Sequence, residues 1–315
     1  MKKSLSQAVD FYLETRRKFG FALVQSRVEL RGLVRYAQEV GHSGPLTASL
    51  ALEWAQLPQH CARSYWALRL DIVRRFARFW LPYDPRTEIP PPGCFGPLCR
   101  RRLVHIYSPE EIRALRAASA QLGRLHPLRA ATFNTLVGLL ACTGLRIGEA
   151  LGLADEDIDW STEVLTIRHA KGGHTRVVPV QTSTVEALRS YRALRRRAVG
   201  SAAGPRFFVT FAGRPLGYYS VNTAFGQLRR SLGWTHRPVP RLHDLRHTFA
   251  VRTLLAWYRS GEPVDAKLWT LSTYLGHRHL ADTYWYLSAV PELMQLCQQR
   301  FAAAQNWASQ GENHE

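Results

Sequence analysis

Two histidines, an arginine and a tyrosine near the C-terminal end of the sequence have the spacing of a site for one anion. His243 and Arg246 are three residues apart on a segment that reads as a helix, so both project from one face. Gly276 follows an apolar run where a helix-terminating glycine belongs, which places His277 at a helix end. Tyr286 comes nine residues later (286 − 277 = 9). These side chains could converge on one anion.

A second arginine precedes this stretch. The apolar helix predicted over 133–142 is stopped by Gly144, and Arg146 stands at the head of a second short helix. An arginine positioned by buried helices is itself partly buried, and burial of its charge is unfavourable unless the charge is paired. A structural ion pair of Arg146 with Glu149 or Asp155 therefore stays open as an alternative to a functional role.

A lysine lies at a predicted hairpin tip. Residues 164–168 and 176–180 have the alternation and β-branched content of two strands, with Lys171 in the turn between them. A lysine in a turn is usually solvated, so the hairpin alone assigns no function to Lys171.

The charge of the chain indicates its partner. Among 315 residues, 42 are Lys or Arg and 24 are Asp or Glu, which gives a formal net charge of +18. Such an excess of positive charge destabilises a compact protein by self-repulsion, so it indicates that the protein binds a polyanion. Nucleic acid is the leading interpretation and an anionic membrane is the second.

Several other classes of protein are disfavoured. The sequence has no apolar run long enough to cross a bilayer and no basic-then-apolar leader, so we expect a cytoplasmic protein without membrane association. Its five cysteines show no metal-ligand spacing, so we expect neither a metal nor a cofactor.

Composition and periodicity predict two domains. Residues 1–81 read as four helices with basic residues between the apolar ones, and 82–107 as a linker rich in proline and arginine. Residues 108–315 form the second domain, which opens with a capping box from Ser108 to Glu111. A second capping box is predicted at Ser183.

The ordered set of these residues resembles the tyrosine recombinase (phage integrase) family. The residues that carry the resemblance are Arg146 within Thr-Gly-Leu-Arg-Ile-Gly-Glu-Ala-Leu, the hairpin Lys171, His243-x-x-Arg246, Leu-Gly-His277 and Tyr286. It implies a mainly α fold with a small β-sheet. An N-terminal helical core-binding (SAM-like) domain and a C-terminal mixed α/β catalytic domain would form a C-shaped clamp. It also implies double-stranded DNA as partner, a tetramer at synapsis and a 3′-phosphotyrosyl intermediate.

The chemistry of these residues agrees with the resemblance. A tyrosine nucleophile stores the phosphodiester bond energy without ATP or metal, and two arginine forks stabilise the charge that develops on the phosphate. The roles are Tyr286 as nucleophile, Arg146 and Arg246 as phosphate ligands, Lys171 as proton donor to the leaving 5′ oxygen, His243 as proton acceptor or phosphate ligand and His277 as hydrogen-bond donor. Glu149 could orient a cationic partner.

Three questions stay open at this stage. Tyr284 also lies near the expected position, but residues two apart on a helix point in different directions. Tyr284 is three residues before Leu287 on the predicted helix, so both are expected on its packed face and Tyr284 is predicted to pack in the core. A type IB topoisomerase has similar chemistry but rejoins the same strand. A DNA-binding regulator without catalytic activity is the alternative from another class.

Overall fold

The structure is a computed structural model that describes residues 3–97, 103–124, 126–168, 175–200, 204–288, 291–299 and 302. The chain is mainly helical with one small sheet, which confirms the predicted mainly α fold with a small β-sheet. It folds into two compact units, Met1–Arg102 and Leu103–Glu315. Within the described ranges, no helix is both long and apolar enough to span a bilayer.

The first unit contains the four helices predicted from periodicity. They are α1 (Leu5–Lys18), α2 (Val24–Glu39), α3 (Ala48–Gln56) and α4 (Arg63–Trp80). Their apolar faces meet in one core around Leu33, Trp54 and Phe76. A buried ion pair between Arg69 and Glu29, with 3.2 Å between Nε and Oε2, lies within the unit.

Residues 82–97, predicted as part of a linker, pack against this helical unit. The backbone N–H of Glu88 donates to the carbonyl of Leu46 at 2.9 Å. The ring of Phe95 lies 5.7 Å from that of Trp66, between centroids. Because an aromatic side chain and a backbone bond hold it, this part of the segment belongs structurally to the first unit.

The second unit is built mainly from further α-helices. They are α5 (Pro109–Ala118), α6 (Pro127–Thr143), α7 (Ile147–Gly152), α8 (Thr182–Val199), α9 (Tyr218–Ser231), α10 (Asp244–Arg259), α11 (Val264–Leu275) and α12 (Ala281–Tyr284). Short 3₁₀ turns cover Ser119–Arg124, Asp155–Asp157 and Trp285–Ser288, and residues 291–299 are also helical.

One of the two predicted capping boxes is present. Ser108 Oγ accepts from the N–H of Glu111 at 3.1 Å, and the Glu111 carboxylate accepts from the N–H of Ser108 at 2.8 Å. The prediction at Ser183 is wrong, because the N-cap of α8 is Gln181, two residues earlier. Thr182, the first residue of α8, directs its hydroxyl to the Glu163 carboxylate at 3.0 Å instead.

Three short antiparallel strands form the sheet in the order β1 (Ile158–Asp159), β2 (Val164–Ile167) and β3 (Arg176–Pro179). Val164 lies opposite Pro179 and Ile167 opposite Arg176, which confirms the predicted hairpin. Its tip, including Lys171, lies outside the described residues.

Helix α10 lies between two apolar cores of the second unit. Its Leu245 joins the core built mainly from α5, α6, α8, α9 and the sheet. Its Val251 and Leu254 join another core with Leu268 of α11 and Tyr286. A helix buried on two sides has little freedom to rotate, so side chains at its first turn are held in fixed positions.

Candidate active site

Arg146 lies between the end of α6 and the start of α7. Helix α6 is capped by Gly144, which has φ 61°, and a Cβ there would lie 2.6 Å from the ring of Phe249. Arg146 is the N-cap of α7, at the head of the short helix as predicted. Its backbone N–H donates to Oε2 of Glu149 and its Nη1 donates to Oε1, both at 2.9 Å. The ion pair with Glu149 is therefore present.

The second arginine, Arg246, is buried in the first turn of α10. It is 3% exposed. Its Nη1 donates to the carbonyl of Gly144 and its Nη2 to that of Leu275, both at 2.8 Å. Burial lowers the pKa of Arg246 to about 10. The guanidinium is still protonated at neutral pH.

Both arginines meet the C-terminal end of α11. Arg146 donates from Nη1 to the Leu275 carbonyl at 3.5 Å and from Nη2 to the Gly276 carbonyl at 3.1 Å. Gly276 has φ 68° and ends α11, as its position in the sequence predicts. Carbonyls at a helix C-terminus lack intrahelical partners and carry partial negative charge, so they suit guanidinium donors. Two cationic forks are thereby fixed near one point.

A third arginine, Arg176 of β3, completes this cluster, and sequence reasoning missed it. Its Nη1 and Nη2 donate to the two oxygens of Glu149 at 3.0 and 2.8 Å, and its Nε donates to the Tyr274 carbonyl at 2.9 Å. Burial alone would raise the pKa of Glu149, but the hydrogen bonds from Arg176 and then Arg146 outweigh it and lower the pKa. Glu149 therefore stays ionised between two arginines.

His277 follows Gly276 directly and faces the tyrosine. Its Nδ1 lies 2.7 Å from the Thr283 hydroxyl, and its ring centroid lies 5.9 Å from that of Tyr286 with the rings 22° apart. Burial, and then the charge of Arg246, lowers the pKa of His277 to about 4. The imidazole is neutral at pH 7, and its Nε2 can donate a hydrogen bond when Nδ1 accepts from Thr283.

Two more histidines lie at the start of α10. His243 is the N-cap of α10, and its pKa is lowered by partial burial and by Arg246, although part of its side chain is accessible to solvent. The His247 ring lies 4.9 Å from that of His243 and 5.6 Å from that of Tyr286. Burial lowers the pKa of His247 to about 3. Its place directly after Arg246 is the signal that could have found it.

The two candidate tyrosines differ sharply in burial. Tyr286 is 3% exposed, in the 3₁₀ turn of residues 285–288, whereas Tyr284 is 48% exposed. The predicted core role of Tyr284 is therefore wrong, because α12 ends at that residue and turns Thr283 inward. Burial raises the pKa of the Tyr286 phenol, while Arg246 and Arg146 act in the opposite direction.

One group of described residues has donor atoms close enough for a metal ion: His105, Glu111 and His236. His105 Nε2 lies 3.0 Å from the Glu111 carboxylate, and His105 Nδ1 lies 3.4 Å from His236 Nε2. The two contacts use opposite nitrogens of His105, as in a hydrogen-bond chain.

Comparison with known proteins indicates the family of the chain. The model of the phage integrase family matches residues 107–292. The chain is 41% identical to y4rB of Sinorhizobium fredii, named as an integrase/recombinase, over 93% of this chain and 96% of that protein. It is 29% identical to tyrosine recombinase XerC of Chlamydia trachomatis serovar L2 over 73% of this chain and 69% of XerC.

Solved structures share the fold at low sequence identity. The Tn1549 transposon integrase in complex with transposon right end DNA has a TM-score of 0.67 at 18% identity, over 95% of this chain and all of that one (100%). The XerH recombinase bound to its difH substrate has a TM-score of 0.62 at 17% identity, over 90% of this chain and 78% of that one. Because the family model covers more than half of the sequence, the chain belongs to the phage integrase family, that of the tyrosine recombinases.

Proposed function

We propose that this protein is a site-specific DNA recombinase that cuts and rejoins DNA strands through a 3′-phosphotyrosyl intermediate. The observation that carries the proposal is the convergence of Arg146 and Arg246 on the end of α11, where His277 and Tyr286 follow. Two cationic forks beside a phenol are what attack on a phosphodiester requires. The net charge of +18 supports double-stranded DNA as the partner.

The first step is attack of the Tyr286 oxygen on the scissile phosphorus. A bond forms between that oxygen and phosphorus, and the bond from phosphorus to the 5′ oxygen breaks, so the number of phosphodiester linkages is unchanged. Charge grows on the non-bridging oxygens, which the guanidinium groups of Arg146 and Arg246 stabilise by hydrogen bonds. Because these forks are already fixed by backbone carbonyls, they need little reorganisation during the reaction.

Two proton transfers accompany this step. The phenol proton passes to His243 or to water, since the lowered pKa of His243 keeps its ring neutral at pH 7 and able to accept it. Lys171 supplies the proton that the leaving 5′ oxygen needs. Neutral His277 donates one further hydrogen bond to a non-bridging oxygen. Attack by a 5′ hydroxyl of another strand reverses the step and completes strand exchange.

The domain assignment belongs to the same proposal. Residues 1–81 would form the core-DNA-binding domain, 82–107 the connection and 108–315 the catalytic domain, which together close around duplex DNA as a C-shaped clamp. Four copies would assemble at synapsis. Since the substrate is DNA and the relatives from Sinorhizobium fredii and Chlamydia trachomatis are bacterial, we expect the protein to act in the cytoplasm.

Two other functions remain testable. A type IB topoisomerase would relax supercoiled DNA but leave two target sites unrecombined. A DNA-binding regulator without catalytic activity would form no covalent adduct. A relaxation assay, a two-site recombination assay and a suicide substrate that traps the adduct separate the three.

The decisive experiment compares the two neighbouring tyrosines. Tyr286→Phe should abolish the covalent adduct on a suicide substrate and leave DNA affinity nearly unchanged, because only one hydroxyl is removed. Tyr284→Phe is the matched control and should still form the adduct. Peptide mapping of the trapped complex should find the phosphotyrosine at Tyr286. An adduct formed by Tyr286→Phe, or mapped to Tyr284, would refute the assignment.

A further inference from the structure

The carboxylate of Glu149 is shared between two arginines that have different access to solvent. Its side chain is 5% exposed, that of Arg176 11% and that of Arg146 25%. Arg176 makes the two parallel hydrogen bonds of an end-on fork through Nη1 and Nη2, whereas Arg146 makes one bond from its guanidinium and one from its backbone. The guanidinium of Arg146, the more exposed of the two, therefore makes one hydrogen bond to the carboxylate, and that of Arg176 makes two.

The remaining donors of the two arginines also differ. Arg176 directs its Nε to the Tyr274 carbonyl, so all three of its nitrogens are engaged inside the protein. Arg146 directs Nη2 to the Gly276 carbonyl at 3.1 Å and lies beside Arg246, which contacts the adjacent Leu275 carbonyl. A phosphate can reach Arg146, but Arg176 is committed to internal partners.

We propose that Arg176 is a positioning residue, which holds Glu149 by a fork and thereby keeps the guanidinium of Arg146 turned toward the scissile phosphate. This inference rests on the proposed function. Without Arg176, a buried carboxylate would have one cationic partner in place of two. Arg146 would then form the two-bond fork with Glu149 that Arg176 forms now. The carboxylate would neutralise the charge of Arg146 alone, in place of sharing its charge between two arginines.

Arg176 also ties this pair to two other elements of the site. Through its backbone it belongs to β3, which begins five residues after Lys171 in the sequence (176 − 171 = 5). Through Nε it holds the last turn of α11, which precedes His277. Gly276 leaves room for this arrangement, because a Cβ there would lie 2.8 Å from Arg176 Nη1. One guanidinium therefore fixes the strand, the helix end and Glu149 relative to one another.

The test measures single-turnover formation of the covalent adduct on a suicide substrate at saturating DNA. Arg176→Met should slow the reaction by roughly 10²-fold, the scale expected for a displacement of about 1 Å at a reacting centre. Arg192→Met is the matched control, since Arg192 likewise shares a carboxylate, that of Asp155, with a second arginine. It should leave the rate unchanged. Thermal unfolding and DNA affinity establish that each variant is folded.

Two readouts separate positioning of Arg146 from a general structural effect. The double variant Arg146→Ala/Arg176→Met should be no slower than Arg146→Ala, because the second change acts only through the first residue. On a substrate with an uncharged methylphosphonate at the scissile position, the loss caused by Arg176→Met should shrink together with that caused by Arg146→Ala. The inference would be overturned if the rate losses of the two single variants add up in the double variant, or if Arg176→Met slows the reaction equally on the two substrates.

A milder variant covers the case in which Arg176→Met does not fold. Arg176→Lys keeps the charge but cannot form the fork and the bond to Tyr274 together, so it should react at an intermediate rate. It should also be non-additive with Arg146→Ala. A rate equal to that of the unchanged protein would mean that the fork has no role. If the unchanged protein forms no adduct, the proposed function itself fails, which is a different result.

Discussion

Replacement of Gly276 by alanine should damage both stability and catalysis. The φ of 68° costs an alanine about 1–2 kcal/mol, partly offset by about 0.4–1 kcal/mol from a less flexible unfolded chain. The new Cβ would also lie 2.8 Å from Nη1, 2.9 Å from Cζ and 3.2 Å from Nε of Arg176. Because the guanidinium is held by three hydrogen bonds, it must break or lengthen at least one, at about 1.5–3 kcal/mol for a charged group.

Gly261→Ala is the control for this prediction. Gly261 has φ 75°, but a Cβ there would meet nothing within 4 Å, so only the backbone cost applies. Urea unfolding should show a loss of about 0.5–1.5 kcal/mol for Gly261→Ala and about 2–4 kcal/mol for Gly276→Ala. Adduct formation should be unchanged in the first variant and slower by roughly 10²-fold in the second. Equal losses in the two variants would refute the steric argument.

Three further predictions concern the proton donor, DNA binding and pH. Lys171→Ala should slow cleavage with little change in DNA affinity, and a substrate with sulfur at the bridging position should selectively restore the rate. If about six to ten phosphates are neutralised, DNA affinity measured by titration should fall by roughly 10³–10⁵ between 50 and 200 mM salt, and EDTA should not affect cleavage. The free energy of unfolding should decrease as pH falls from 6.5 to about 4, because the unfolded state binds protons there that folded His277 and His247 do not. His277→Gln should flatten this decrease in denaturant titrations at each pH.

The parts of the site that depend on local signals could be predicted from the sequence. Gly144 and Gly276 mark helix ends by residue type alone, so the positions of Arg146 and His277 follow from their neighbours. The contact between Glu149 and Arg176 joins a helix to a strand 27 residues later, and nothing local specifies it. An arginine in a hairpin strand looks like any other solvated residue until the fold is known.

The error at Tyr284 has a different cause. The prediction assumed one continuous helix through Tyr284 and Leu287, with both on a packed face. The chain instead forms a single turn of α12 and then a 3₁₀ turn from Trp285, so residues three apart no longer share the expected environment. Helical spacing is a reliable guide within a long helix, but not across a change of helix type.

The way backbone carbonyls hold Arg146 and Arg246 affects when the entropy of ordering is lost. Long side chains lose up to about 2 kcal/mol of rotamer entropy when they are fixed. Here the carbonyls of Gly144, Leu275 and Gly276 already immobilise both guanidinium groups in the protein alone. The rotamer entropy of the two side chains is therefore lost during folding, and DNA binding does not have to order them. A strand that enters the site therefore encounters a receptor whose shape is set in advance, and its own flexibility becomes the main entropic barrier to productive binding.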